Sequence, residues 1–258
     1  MQKIITIANQ KGGVGKTTTA VNVAAGLAVS EVETLLIDMD PQSNATLGCG
    51  IDYRSLEKTV YEVLIEGIDI NSAISATEIP YLDILPASPR LVGAEIEMVS
   101  LIGRELVLKK ALEMMGRDYK YVIIDCPPSL GLLTINSLAA SHSVLIPIQC
   151  EYYAMEGLGQ LLHTIRLIQR NLNRSLAIEG VLITMYDGRL RLSQEVSEQV
   201  RSHFKGKVYQ TKVRRNVRLG ESPSFGKPII LYDASSAGAQ DYMNLVGELL
   251  KDDEQAIR

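Results

Sequence analysis

The sequence predicts a single-domain α/β protein with a mostly parallel, doubly wound sheet flanked by helices, and three observations lead to that prediction. Short runs rich in Val, Ile and Leu recur along the 258 residues, which is typical of strands buried on both faces of a parallel sheet. Helical stretches alternate with these runs, as crossover connections require. A glycine-rich turn, residues 11–15, joins the first run to the first helical stretch.

Six apolar runs are predicted to form the strands, namely residues 3–8, 34–40, 81–88, 121–129, 143–149 and 178–187. The predicted helices cover residues 17–29, 103–115, 130–140, 154–170 and 190–203, with a last helix that runs to about Leu250. Ser235 or Ser236 is expected to cap that last helix, and the tail from Lys251 is expected to fray.

Two segments, residues 41–80 and 205–233, show few regular elements, and we interpret both as functional loops at the carboxyl edge of the sheet. No internal repeat, low-complexity tract or change of composition divides the chain. We therefore expect residues 1–258 to form one domain.

Composition indicates a cytoplasmic protein. Cys49, Cys126 and Cys150 are widely spaced and form no CxxC pair, as expected for reduced thiols. No apolar run approaches the roughly 20 residues that span a bilayer. Tryptophan is absent and aromatics make up 5%, which argues against stacking of single-stranded bases. A net charge of −4 does not by itself favour a nucleic-acid partner.

The turn after the first strand reads NQKGGVGKTTT (residues 9–19) and indicates a phosphate-binding loop. Glycines let backbone N–H groups surround phosphate oxygens, and the helix N-terminus adds a favourable dipole. We expect Lys16 to lie between the terminal phosphates, Thr17 to meet Mg²⁺ and Thr18 to reach a further phosphate oxygen. The loop residues expected around the phosphates are Gly12, Gly13, Val14, Gly15, Lys16, Thr17 and Thr18.

The loop departs from the usual pattern GxxxxGK[ST], because Gln10 stands where the first glycine belongs and Lys11 follows it. Further blocks recur in order along nearly the whole chain: LLIDMDPQSNAT (35–46), YVIIDCPPSLGLLTINSL (121–138), IPIQCEYYAMEGL (146–158), GVLITMYDGR (180–189) and PSFGKPIILYD (223–233). With them the chain resembles the deviant Walker A ATPases, most closely their ParA/Soj partitioning branch. The resemblance implies a P-loop NTPase fold, with ATP, ADP and Mg²⁺ as ligands.

Three strand-end aspartates are candidates around the nucleotide. Asp125 ends an apolar strand, where a carboxylate can hold Mg²⁺ through water, although such a residue can also cap the next turn. Asp38 and Asp40 lie two residues apart and are expected on one face of their strand. The resemblance ties the aspartate before Pro-Gln to hydrolysis, so Asp40 is expected to orient the attacking water. Asp38 is expected to support the metal shell.

Lys11 is the residue that the resemblance makes most informative. In this family the signature lysine reaches across a dimer to the phosphates bound by the partner subunit. Such a lysine would make ATP a bridge between subunits and stabilise charge on the transferring phosphoryl group. The alternative from the residues alone is a solvated loop lysine or one that pairs with a nearby acid.

Adenine recognition is less visible in the sequence. The resemblance places the base near Met185 and Asn216, although Met185 could equally be a core residue at a strand end. The family usually has proline where Arg214 stands, so this wall of the pocket is expected to differ.

Residues 187–227 contain ten basic and four acidic residues, so this segment carries +6 and the remainder −10. A basic patch on an acidic body can bind DNA phosphates, or it can be an ordinary solvated face. The resemblance implies non-specific binding of double-stranded DNA by the ATP-bound homodimer. It ties Arg189 and Arg218 to that contact, and Arg214 and Arg215 are further candidates, although the loop of Asn216 can instead use one of them for the nucleotide. It also implies a ParB-like partner that stimulates hydrolysis, and a location on the nucleoid.

Other classes of protein make different demands on the sequence. A MinD-like, membrane-associated ATPase needs a basic amphipathic helix, but residues 243–258 carry four acids against two basic residues. An electron-transfer ATPase like the nitrogenase iron protein needs cysteines spaced to hold a cluster. A transcriptional regulator needs a DNA-reading motif such as a helix-turn-helix, and none is evident. A metabolic kinase needs an acceptor site, for which no motif stands out.

Overall fold

A computed structural model describes residues 2–151 and 154–257. Within them, eight strands form one sheet: β1 Lys3–Ile7, β2 Thr34–Asp38, β3 Ser75–Ala76, β4 Leu82–Leu85, β5 Tyr121–Asp125, β6 Ser143–Gln149, β7 Ala177–Tyr186 and β8 Val208–Arg214. Their order across the sheet is β3-β4-β2-β5-β1-β6-β7-β8. All neighbours are parallel except β3, which runs antiparallel to β4. The predicted α/β fold with a mostly parallel sheet is confirmed.

The α-helices that connect and cover these strands are α1 Lys16–Val29, α2 Asn44–Gly48, α3 Val60–Ile65, α4 Leu91–Glu97, α5 Val107–Glu113, α6 Leu132–Ala140, α7 Ala154–Asn171, α8 Arg191–Phe204, α9 Val217–Glu221, α10 Ile229–Tyr232 and α11 Ala237–Ile257. Short 3₁₀ turns lie between several of them. Helices α1 and α11 pack on one face of the sheet, and α3 to α8 cover the other. Both faces are therefore buried, as the continuous apolar runs predict.

The six predicted strands are present, but the sequence did not reveal β3 and β8. Strand β8 reads VYQTKVR, in which buried and exposed positions are mixed, because it lies at the edge of the sheet. The segment 205–233 therefore holds a strand and two short helices where we expected a loop.

The expected fraying of the tail is wrong for the described residues, since α11 continues to Ile257. Asp253 explains the difference: its carboxylate pairs with Lys3 and accepts a hydrogen bond from the Tyr121 hydroxyl, which fixes the helix end to the amino edge of the sheet. The predicted cap at Ser236 is confirmed, because its hydroxyl accepts a hydrogen bond from the N–H of Ala239 at 3.2 Å.

Gly180 in β7 gives a test of the packing. A Cβ atom at this position would lie 2.5 Å from a ring carbon of Tyr209, which is itself buried. We expect Gly180→Ala to lower the free energy of unfolding by about 1–3 kcal/mol, because the aromatic ring has to move.

Gly247→Ala is the matched control for chemical denaturation. Gly247 lies inside α11, and no neighbouring group lies within 4 Å of the place that a Cβ atom would take. Alanine should therefore raise stability by about 1 kcal/mol through helix propensity alone. Equal stability of Gly180→Ala and the wild type would contradict the described packing of β7 on β8.

Candidate functional site

The loop between β1 and α1 forms a cradle at the carboxyl edge of the sheet. Gly13 and Gly15 have φ angles of 73° and 84°, a region that side chains other than glycine rarely adopt. The loop is supported from both sides: the Asn9 amide donates to the carbonyl of Pro147 at 2.7 Å, and the Thr184 hydroxyl donates to the carbonyl of Val14 at 2.8 Å. Strands β6 and β7 thus fix the loop that precedes α1.

Lys16 lies inside this cradle and is only 6% exposed. Its ammonium donates to the carbonyl of Lys11 at 3.2 Å. Burial lowers the pKa of Lys16, and the nearby carboxyls of Asp125 and Asp40 act in the opposite direction. A buried ammonium beside backbone N–H groups and a helix N-terminus is suited to bind phosphate.

Lys11 behaves differently from Lys16. Its side chain is 35% exposed and its ammonium forms an ion pair with Glu151, just after β6. Its own backbone N–H donates to the Asn9 side chain at 3.0 Å. Lys11 therefore stands at the rim of the cradle, with its charge directed along the protein surface.

Asp38 holds both ends of the loop that carries Asp40. Its Oδ1 accepts the N–H of Asp40 at 3.0 Å, and its Oδ2 accepts the N–H and the hydroxyl of Thr46 at 2.8 and 2.7 Å. The Thr46 hydroxyl also accepts the N–H of Ala87 at 2.9 Å, which ties the loop to the segment after β4. Burial raises the pKa of Asp38 to about 6, against the effect of the Thr46 hydrogen bonds. The structure gives Asp38 a loop-holding role; the predicted role in the metal shell stays a prediction.

Asp125 lies directly opposite Asp38 in the sheet. Its two carboxylate oxygens are buried and accept no hydrogen bond of ordinary geometry from the described residues. Burial and then the charge of Asp38 raise its pKa well above the usual range, while Thr17 and Lys16 lower it. A buried carboxylate without hydrogen-bond partners of ordinary geometry fits the hydrated divalent cation that the sequence predicts at Thr17 and Asp125.

Asp40, the residue predicted to orient water, is 6% exposed at the start of the loop after β2. Its Oδ1 accepts the N–H of Gln42 at 2.9 Å, and its carbonyl accepts the N–H of Ser43 at 2.8 Å. Its charge acts on both Lys16 and Asp125. The structure therefore brings Asp40, Lys16 and Asp125 to one place, as predicted from the sequence.

A cavity of about 260 Å³ adjoins the phosphate loop. Both residues predicted to meet the base, Met185 and Asn216, line it, together with Gly15 and Thr18. The backbone of Met185 has a φ of 49°, which is unusual for a side-chain-bearing residue and is common at functional sites. Tyr242 in α11 also lines the cavity, and no local sequence signal pointed to it.

The predicted DNA-binding arginines occupy distinct environments. Arg189 is exposed and paired with Asp187 at 2.7 Å, and Arg218 pairs with Glu221 at 2.9 Å. The Arg189 hydrogen bonds, with a smaller contribution from Arg215, lower the pKa of Asp187 to about 2, so Arg215 lies near this pair. Arg215 is exposed and has no ion pair within 4 Å in the described part of the chain. Arg214 instead pairs with Asp241.

A glycine loop that opens a helix, a buried lysine within it, a strand-end aspartate and an adjoining cavity define a nucleotide-binding protein of the P-loop class. Among the residues that the structure describes, no helix is long and apolar enough to cross a membrane.

Comparison with known proteins gives the family. Residues 2–178 match the family model described as AAA domain. The chain is 57% identical to the sporulation initiation inhibitor protein Soj of Bacillus subtilis, over 96% of this chain and 98% of that protein. It is 55% identical to the chromosome partitioning protein ParA of Myxococcus xanthus, over 97% and 89%. The chain belongs to the Soj/ParA family, which confirms the resemblance.

A solved structure is also close. The crystal structure of cobyrinic acid a,c-diamide synthase from Mycobacterium smegmatis with bound ADP and magnesium has a TM-score of 0.87 and 36% identity. The match covers 99% of this chain and 97% of that one.

The neighbouring carboxyls of Asp38 and Asp125 can be tested through the stability of the nucleotide-free protein. We expect Asp125→Asn to raise the free energy of unfolding of the ligand-free protein by roughly 1–2 kcal/mol near pH 7.5, because it removes a buried carboxylate that lacks partners. The pKa of Asp125 is higher in the folded than in the unfolded chain, so this carboxyl destabilises the wild type once the pH exceeds the unfolded pKa near 3.8. The stability gained by Asp125→Asn should therefore vanish toward pH 4.

Asp38→Asn is the matched control, since it breaks a carboxylate that accepts several hydrogen bonds, and it should lower stability. Urea denaturation with EDTA measures both variants. Mg²⁺ with ATP should raise the melting temperature of the wild type and not of Asp125→Asn. Destabilisation of ligand-free Asp125→Asn would contradict the orphaned state of this carboxyl.

Proposed function

We propose that this protein is a Mg²⁺-dependent ATPase that acts as a dimerising switch in chromosome or plasmid partitioning. The observation that carries the proposal is the different burial of two loop lysines. Lys16 is buried in the cradle, whereas Lys11 is half-exposed at its rim. The proposal therefore assigns Lys11, the more exposed of these two lysines, to a nucleotide outside its own subunit.

ATP binding follows from the geometry of the cradle and the cavity. Backbone N–H groups of residues 12–18 and the Lys16 ammonium hold the phosphates, and Met185 and Asn216 adjoin the base. Thr17 and Asp125 are the residues that would hold Mg²⁺. The ion would neutralise charge on the transferring phosphoryl group. Solved relatives support this assignment, since that of Mycobacterium smegmatis contains ADP and magnesium.

Hydrolysis requires a positioned water and little covalent help. Asp40 supplies an acceptor at the mouth of the cradle, and Asp38 fixes its loop through Thr46. Such an arrangement orients a water and holds it without further activation, which is consistent with slow turnover. We infer that a ParB-like partner stimulates this step, and the name chromosome partitioning protein of the Myxococcus xanthus relative supports this inference.

DNA binding is proposed for the ATP-bound dimer. The segments that follow β7 and β8 begin at neighbouring strand ends; Arg189 lies in the first, and Arg215 and Arg218, the latter in α9, lie in the second. Arg215, unpaired among the described residues, can meet phosphate directly, whereas Arg189 and Arg218 would exchange carboxylate partners for it. Such a dimer would reside on the nucleoid in the cytoplasm. A role in DNA binding is also predicted for Arg214 from its sequence position, but its ion pair with Asp241 points elsewhere.

The switch is tested by two variants. We expect Asp40→Ala to lower the rate of ATP hydrolysis by about a hundredfold or more and to hold an ATP-bound dimer on DNA, because ATP persists. Lys11→Gln should bind ATP with near-normal affinity and remain monomeric. Light scattering and DNA binding with ATP, ADP and no nucleotide measure both.

The wild type with ADP is the control, and it should be monomeric and release DNA. Equal DNA binding with ATP and ADP would contradict the switch. Loss of ATP binding in Lys11→Gln would make Lys11 a ligand of its own nucleotide. Nucleotide-dependent binding to anionic vesicles in place of DNA would favour a MinD-like function.

The DNA surface is tested by charge reversal. Arg215→Glu and Arg218→Glu should each weaken DNA binding by about tenfold or more and reduce the salt slope by roughly one to two. Because Arg215 also lines the cavity, DNA binding by Arg215→Glu is measured at saturating ATP, whereas Arg218→Glu should leave the ATP dimer unchanged. Lys207→Glu is the control, because it makes the same charge change at the other end of β8. Lys207 precedes the amino end of this strand, whereas Arg215 follows its carboxyl end. An equal effect of Lys207→Glu would show that net charge, and not this surface, controls binding.

A further inference from the structure

Strand β8 is the outermost strand on its side of the sheet, so the main-chain groups on its far side have no neighbouring strand among the described residues. Two carboxylates of α11 accept hydrogen bonds from N–H groups of β8 instead. Glu248 accepts the N–H groups of Gln210 at 2.8 Å and Thr211 at 2.7 Å. Asp241, seven residues earlier on α11, accepts the N–H of Arg214 at 2.9 Å. The helix thus satisfies the edge strand at two points.

Both points include a side chain of the strand, but the Thr211 hydroxyl that donates to Glu248 is neutral, whereas Arg214 adds a charged guanidinium to Asp241. Its Nε lies 3.1 and 3.0 Å from the two carboxylate oxygens of Asp241, and its Nη2 lies 2.7 Å from Oδ1. Nη2 also donates to the carbonyl of Ala237 at 3.3 Å. The Asp241 side chain is only 7% exposed. A forked, charge-assisted contact with a buried carboxylate is stronger and more directional than an ordinary surface ion pair.

This contact sits between two walls of the cavity beside the phosphate loop. Arg214, Arg215 and Asn216 line the cavity at the end of β8, and Tyr242, which follows Asp241 in α11, lines it as well. The Tyr242 hydroxyl lies 3.1 Å from Oγ1 of Thr19 in α1. The position of β8 relative to α11 therefore determines the width of the cavity.

We propose that Arg214 and Asp241 form a positioning pair that fixes the nucleobase wall of this cavity. The guanidinium of Arg214 serves the nucleotide site and is not part of the DNA surface. The inference rests on the proposed function in one respect, since it takes the cavity to hold the base of ATP.

The experiment measures binding of the fluorescent analogue MANT-ATP, together with kcat and KM for ATP. Asp241→Asn puts an amide where the arginine donates, and Arg214→Lys keeps the charge and the N–H but loses the fork. We expect both to raise Kd and KM by about tenfold, with kcat at saturating ATP within about twofold of the wild type. DNA affinity at saturating ATP should not change.

Glu248→Gln is the matched control, because it loosens the same helix from the same strand away from the cavity. It should leave Kd unchanged even where its melting temperature falls as far as that of Asp241→Asn. An equal rise in Kd for Glu248→Gln would overturn the inference, as would weaker DNA binding by Arg214→Lys at unchanged Kd. A wild type that fails to bind MANT-ATP would overturn the proposed function, and the inference with it.

Discussion

The register between β2 and β5 is the constraint on which the site depends. It sets Asp38 directly opposite Asp125, and β1, which pairs with β5 on its other side, sets Ile7 opposite the same residue. The phosphate loop and both carboxyls therefore leave the sheet at one level. A slip of one residue would turn Asp125 to the other face, away from Lys16. Strands that are buried on both faces make such a slip costly, because every side chain would change environment.

The same register places the carboxyls of Asp38 and Asp125 in a buried region, but the two differ in the hydrogen bonds that they accept. Asp38 receives hydrogen bonds from Asp40 and Thr46, so its burial is compensated and its loop is held. Asp125 receives none of ordinary geometry from the described residues. A folded chain tolerates an uncompensated buried carboxyl where a ligand later completes it. The contrast supports the proposal that Asp125, and not Asp38, is the carboxyl that faces the nucleotide and its metal ion.

The sequence predicted the phosphate loop and Asp125 because their signals are local: a glycine turn after a strand, and a carboxylate at the end of an apolar run. It failed where the signal is spread along the chain. Strand β8 reads as polar because an edge strand is half exposed, and its partners on α11 lie 27 to 38 residues further on. Arg214 is a DNA-binding candidate by its position among basic residues, which stays a prediction, and its ion pair with Asp241 could be found only from the fold.

The two loop lysines show how a small sequence change can alter what a phosphate loop does. Lys16 is buried within the cradle, so the proposed function assigns it to the nucleotide of its own subunit. Lys11 is held by Glu151 in a partly exposed ion pair, and such pairs contribute about 0–1 kcal/mol. In the proposed dimer, exchanging this weak partner for the partner subunit's triphosphate would cost little, so most of the new contact energy would remain available for association. Because ADP lacks the γ-phosphate, the gain differs between nucleotides, and that difference is what a switch requires.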